Sequence, residues 1–322
     1  MLRARGARRV RAIAPLVLDA LDLRASLHHH FAAYGGWTFA FEDYWSMNIT
    51  ARLDDPETAS LFALIDPISY AERYAGLPKL VGDATNDEFF LPDDWRYWIE
   101  RMPEPTSFFM APNAEHSLAT ALPSLLPSVE AFFAGVMGDA TVPPAFAWAV
   151  DYASGEIRVT FEDDLPKTVT QWTGRTCAFE APRRDFRLLN LDAQTINGSS
   201  TCACGFGADV SADGGCVNAH VLFDNATLAP ESGSANRIFI ARADVPPREE
   251  ERWVAFFVAV TYHGVKEAAA ETGAPRECVL NRARVCIPIT AAGDLTLTTQ
   301  VAIVPDYLPF ECVGSGCAGT LL

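Results

Sequence analysis

The pattern of apolar and polar positions changes character near the middle of the chain. In the first half, short continuous apolar runs alternate with helix signals. Val10 to Leu18 reads as a buried strand, followed by a turn around Asp19 to Asp22. A helical segment carrying His28, His29 and His30 comes next, then an aromatic-rich stretch from Ala32 to Ile49 that is expected to pack on a sheet. Asp54-Asp55-Pro56-Glu57 predicts a helix start, with proline in the first turn and acids at the positive end. Asp66, before Pro67, reads as another helix cap. Leu77 to Leu118 then predicts a buried strand, a loop carrying Asp87, a helix starting at Pro92-Asp93-Asp94, a second strand over Phe108 to Ala111, and a loop carrying His116. Leu118 to Met137 is helical in pattern, interrupted by Pro123 and Pro127.

From Ala145 the texture turns to β. Phe146 to Tyr152, a turn at Ser154-Gly155 and Glu156 to Phe161 form a hairpin pattern, continued by Thr168 to Trp172. Later strands are expected over Arg237 to Ala241, Trp253 to Tyr262, Val285 to Thr290 and Leu295 to Val304, with a long loop over Thr195 to Gly233. Gly138 and Pro143-Pro144 mark a boundary. The expected architecture is an α/β portion over residues 1–140, followed by a mostly antiparallel, β-sandwich-like, cysteine-containing portion over residues 141–322.

Parallel strands joined by crossovers place their following loops at one carboxyl edge of the sheet, so Asp87 and His116 are expected to meet there. An acid would fix the tautomer of the histidine and stabilise its protonated form, and the histidine would act as general base. Glu88 is the alternative acid, and Asn113 is expected to brace the histidine loop through side-chain-to-backbone bonds. Phe89 and Phe90 are expected to pack under the loop. No Gly-x-Ser-x-Gly is present, and its nearest echo, Ser315-Gly316-Cys317-Ala318-Gly319, follows no strong strand. Cys317 there reads as a disulfide partner, with Cys312 a candidate for the other half. Three consecutive helical histidines point in different directions and cannot close on one ion. Cys202-Ala203-Cys204 with Cys216 lacks the usual metal knuckle, and no glycine loop cradles a phosphate. No cofactor and no metal are therefore expected.

These residues also carry a resemblance. Ile65-Asp66-Pro67-Ile68-Ser69-Tyr70, Leu77-Pro78-Lys79-Leu80, Asn86-Asp87-Glu88-Phe89-Phe90-Leu91-Pro92-Asp93 and Pro112-Asn113-Ala114-Glu115-His116-Ser117-Leu118 resemble the PhoPQ-activated pathogenicity-related proteins, which include secreted autocrine proliferation repressors of social amoebae. Val10 to Pro15, Tyr34-Gly35-Gly36-Trp37, Phe146-Ala147-Trp148, Gln171-Trp172 and Arg184-Asp185-Phe186-Arg187 also fit, so the likeness covers roughly Arg9 to Arg187. It implies an α/β-hydrolase fold with chain order Ser, Asp, His, in which Asp87 and His116 are the last two members. The nucleophile would precede the strand at Val10, and the chain reads as truncated before it. The resemblance thus implies a serine hydrolase or peptidase acting on a small-molecule or peptide ester or amide, with this chain inactive alone. The other implication is a secreted signalling or binding protein that meets a cell-surface receptor.

Composition narrows the partners. Twenty-five Lys and Arg against 41 Asp and Glu give a net charge of −16, which argues against nucleic acid and anionic membranes. Five arginines fall within the first eleven residues, but the apolar run that follows is broken by Asp19 and Asp22, and no membrane span is expected. All eight cysteines lie in the second half, and sequons occur at Asn48, Asn197 and Asn225. Both features favour an oxidising, extracellular setting, with any signal peptide upstream of Met1.

Overall fold

A computed structural model describes residues 10–18, 21–139, 146–162, 164–176, 182–187, 201–204, 218–263, 278–280, 286–288 and 293–322. Helix and strand are mixed. The α-helices are α1 (Leu23–Tyr34), α2 (Glu42–Ser46), α3 (Pro56–Ile65) and α4 (Leu122–Ala134). The strands are β1 (Lys79–Ala84), β2 (Thr106–Ala111), β3 (Phe146–Asp151), β4 (Glu156–Phe161), β5 (Thr168–Arg175), β6 (Thr201–Cys204), β7 (Asn218–Val221), β8 (Asp224–Thr227), β9 (Ile238–Arg242), β10 (Val254–Tyr262), β11 (Cys278–Leu280), β12 (Cys286–Pro288), β13 (Leu295–Thr298) and β14 (Ala302–Val304).

The largest sheet runs in the order β1-β2-β13-β10-β5-β8, with β14 also on β10. β1 and β2 are parallel, Lys79 opposite Thr106 and Ala84 opposite Ala111. The remaining pairings are antiparallel, and β2 meets β13 where Phe108 faces Thr298. Strands from both sides of the expected boundary at 140/141 therefore share this sheet. β10 is buried on both faces, which is why its sequence is a nearly continuous apolar run. Val254, Phe256, Val258 and Val260 enter one core, and Ala255 and Phe257 enter the other. Over the first core lie helix α4, through Leu125 and Phe132, and a second antiparallel sheet, β3-β4-β9, through Ile157, Val159, Phe161 and Phe239.

Several expectations change in detail. The segment Val10 to Leu18 lies along β1 in parallel, with Leu80 N–H donating to Ile13 O at 3.0 Å and Gly82 N–H to Pro15 O at 2.9 Å. It is an edge rather than a buried strand, and Val10, Leu16 and Leu18 are exposed. The expected helix after Pro92 is instead two short 3-10 turns, Asp94–Tyr97 and Ile99–Arg101. The local reason is that Asp93 and Asp94 spend their side chains on buried partners: Asp94 accepts from Leu91 N–H and His29, and Asp93 accepts from Arg184. Pro127 sits inside α4, which is continuous across it. Residues Ala119–Met137 are long and apolar enough to cross a membrane by length and composition alone. In this fold the same segment buries Leu125, Ala131 and Phe132 against the sheet.

Asp66 caps twice, accepting from Ile68 N–H within its own turn and from Leu23 N–H at the start of α1. α1 ends at Gly35, whose φ of 74° favours glycine. β6, β7 and β8 fall inside the stretch expected as one long loop; Cys202 and Cys204 lie on β6, while Cys216 lies outside the described residues. Asn48 is exposed and Asn225 half-buried on β8, while Asn197 lies outside the described residues.

Candidate active site

The loops after β1 and β2 leave the same edge, and the parallel ladder continues into them. Thr85 N–H donates to Ala111 O at 3.0 Å and Asn86 N–H to Ala114 O at 3.1 Å. This lateral stitching brings the Asp87 and His116 side chains together, Oδ2 to Nδ1 at 2.8 Å. The other Asp87 oxygen accepts from Phe89 N–H at 2.6 Å and Phe90 N–H at 3.2 Å, which locks the carboxylate in place. A carboxylate only accepts, so Nδ1 carries the hydrogen and the neutral ring presents its Nε2 lone pair. The Asp87 side chain is 1% exposed and that of His116 32%. Among the described residues Nε2 has no hydrogen-bonding partner. Phe89 and Phe90 are half-buried and flank the imidazole, with centroids 4.8 and 5.8 Å away.

The electrostatics follow from that geometry. The hydrogen bond from Asp87 raises the His116 pKa above its usual value, against the opposing effect of burial, and the charges of Asp87, Glu88 and Glu115 add to it. Glu88 accepts from the backbone N–H of His116 at 3.3 Å rather than from the ring, so the acid on the imidazole is Asp87. Burial, then the Asp87 charge, pushes the Glu88 carboxyl up. Beneath them Asp83, on β1, is raised to about 7 by burial and by the charges of Asp87 and Asp94. The floor of the site is a cluster of acids that burial holds toward their neutral forms.

Asn113 braces the histidine loop across the molecule. Its backbone is left-handed, φ 57°, a conformation asparagine tolerates. Its Nδ2 donates to Phe223 O at 2.9 Å, and its Oδ1 accepts from Phe223 N–H at 2.7 Å. Asn86, one residue before the acid, does the same for a second contact, donating to Phe186 O at 2.6 Å and Val221 O at 2.8 Å. Thr85 links the two, accepting from Asn113 N–H and donating to Asn86 Oδ1. Each such buried bond is worth about 1 kcal/mol net and more to leave unmade. Sequence reasoning missed Thr85 and Asn86 as supports, although Asn86 opens the Asn86-Asp87-Glu88-Phe89-Phe90 word.

The remaining candidates go elsewhere. Cys317 is bonded to Cys312, as the sequence suggested. The three adjacent histidines have separate fates. His28 reaches Asp54 at 3.0 Å, while His29 lies between Asp94, at 2.5 Å, and Arg184. His30 is buried among Tyr34, Trp37 and Phe41, and burial, together with the Arg187 charge, lowers its pKa well below the usual value. The Arg184-Asp185-Phe186-Arg187 word is a buried ionic seam: Arg184 pairs with Asp93 at 2.7 Å and Arg187 with Asp185 at 2.7 Å.

Comparison with known proteins bears out the family resemblance. The profile of the PhoPQ-activated pathogenicity-related protein family matches residues 2–187. The chain is 29% identical over 310 residues to autocrine proliferation repressor protein A of Dictyostelium discoideum, covering 94% of this chain. It spans about half of that relative, 53% of its length. No solved structure matches the chain.

Proposed function

The chain belongs to the PhoPQ-activated pathogenicity-related protein family, and from that premise we propose that it carries the acid–histidine half of a serine-hydrolase site on an α/β-hydrolase-type sheet. The observation that carries this reading is the Asp87–His116 pair at the carboxyl ends of two adjacent parallel strands, with Nε2 left open. In the proposed chemistry a serine hydroxyl is hydrogen-bonded to Nε2. His116 takes the serine proton as the oxygen attacks an ester or amide carbonyl, and Asp87 stabilises the imidazolium that forms. His116 then returns the proton to the leaving group. Among the described residues no hydroxyl or thiol bonds to Nε2, so the nucleophile is assigned to a segment that these residues do not include. The amoeba relative is longer and has room for one.

The test uses a protein extended at its N-terminus to the length of that relative. A fluorophosphonate probe should label it on serine, and the His116→Ala variant should lose the label, as should the 322-residue chain alone. Absence of labelling and of esterase activity in the extended protein overturns the hydrolase reading.

The relative's name favours a second reading, in which the protein is secreted and acts on cell proliferation by recognition rather than catalysis. The Cys312–Cys317 disulfide and the exposed Asn48 in its sequon suit an extracellular setting. Under this reading, growth repression by the added protein survives His116→Ala; under the hydrolase reading it is lost.

A further inference from the structure

The first of the three adjacent histidines stands away from the candidate active site, beside the disulfide near the C-terminus. His28 Nδ1 lies 3.5 Å from Cys312 Sγ and 3.7 Å from Cys317 Sγ. Its other nitrogen, Nε2, meets Asp54 Oδ1 at 3.0 Å. Asp54 also accepts from Gly314 N–H at 2.6 Å and from the Arg24 guanidinium. A carboxylate with three donors around it takes the Nε2 hydrogen of the imidazole, so the Nδ1 lone pair is turned toward the two sulfurs. Cys317 is fully buried and Cys312 partly so, and an open cleft lined by Arg24, Asp54, Val313 and Gly314 reaches His28 from solvent.

The spacing of these atoms has a chemical meaning. A tetrahedral zinc with bonds of about 2.3 Å to sulfur and about 2.0 Å to nitrogen needs sulfur and nitrogen about 3.5 Å apart. Both sulfur–nitrogen distances already match. Only the two sulfurs must separate, from a bond to about 3.8 Å. The residues between them are Val313-Gly314-Ser315-Gly316, and side-chain room is open at both glycines. Gly314 has φ 54°, so the loop is built from residues that can readjust.

We propose that His28, Cys312 and Cys317 form a redox-gated zinc site. In the oxidised protein the cysteines are joined. A thiol or phosphine reductant supplies two electrons and the disulfide becomes two thiols; with a phosphine, water supplies the oxygen of the phosphine oxide. Zinc then displaces two protons and binds both thiolates and His28 Nδ1, with water from the cleft in the fourth position. Asp54 holds the imidazole from behind, the carboxylate–histidine arrangement common at zinc centres. Two thiolates and an imidazole suit zinc over calcium or magnesium. The same cross-link position is thus held by a disulfide under oxidising conditions and by a metal under reducing ones.

The test uses the whole chain and cobalt(II) as a spectroscopic stand-in for zinc. Protein reduced with a phosphine under anaerobic conditions is titrated with cobalt, and the thiolate-to-cobalt charge-transfer and tetrahedral ligand-field bands are followed. Because the chain carries six other cysteines that can also bind cobalt, the readout is the difference between wild type and C312S/C317S. Wild type should bind one more cobalt per chain, and oxidised wild type should not. His28→Gln keeps the disulfide, so its fold can be verified before reduction, and it should lose that extra cobalt. Asp54→Asn should weaken binding about 10- to 100-fold. Equal cobalt binding by reduced wild type and C312S/C317S, or an unchanged titration in His28→Gln, overturns the proposal.

Discussion

Two of the aspartate–histidine pairs in this molecule differ in one nitrogen. Under α1, His29 Nδ1 meets Asp94 at 2.5 Å, its Nε2 accepts from Arg184, and its side chain is fully buried. At the sheet edge, His116 Nδ1 meets Asp87 at 2.8 Å, its Nε2 has no protein partner among the described residues, and a third of its side chain is exposed. The first pair is closed on both sides and can only hold structure. The second has a fixed back and an open front, the arrangement a general base requires. An acid beside a histidine is therefore a poor guide to chemistry by itself; what occupies the second ring nitrogen decides.

Breaking the closed pair should cost the most. Arg184→Leu removes the guanidinium that pairs with Asp93 and donates to His29, leaving buried charge uncompensated. The expected loss is about 3–5 kcal/mol by urea unfolding. Asn113→Ala comes next, because it strips two backbone groups of Phe223 of their partners and leaves alanine in a left-handed backbone. A loss of about 2–4 kcal/mol is expected from those two effects. It should be accompanied by broadened NMR signals from His116, since the loop loses its anchor.

Those anchors also mark the limit of what the sequence disclosed. The pairing of Asp87 with His116 was legible because two short apolar runs, each followed by a polar loop, imply parallel neighbours whose loops share an edge. The clamp from Asn113 to Phe223 was not, since its partner lies 110 positions away and backbone acceptors have no sequence signature. Periodicity likewise marked β5 and β10 as strands but could not assign them to the sheet that holds β1, because a period of two names the element and not its neighbour. The turns after Pro92 were misjudged as a helix because the caps that favour one, Asp93 and Asp94, are drawn into the closed ionic cluster.

A smaller effect separates the floor of the open site from its rim. Asp83 has a folded pKa of about 7 against a usual 3.8, so its contribution to stability is fully present below pH 3.8 and is lost as pH rises toward 7. Asp83→Asn should remove part of the fall in stability across that window. Unfolding curves at several pH values would show this as a flatter profile for the variant, with the variant the more stable of the two at neutral pH.

The central claim is that Asp87 sets the state of His116, and the most direct test is the pKa of His116 followed by NMR in the wild type and in Asp87→Asn. In the wild type the hydrogen bond should hold that value above 6.5. The asparagine variant keeps an acceptor for Phe89 and Phe90 N–H but presents a donor to Nδ1, so the His116 value should fall below that of the wild type. Equal pKa values in the two proteins would mean that Asp87 does not govern the imidazole, and would contradict the account.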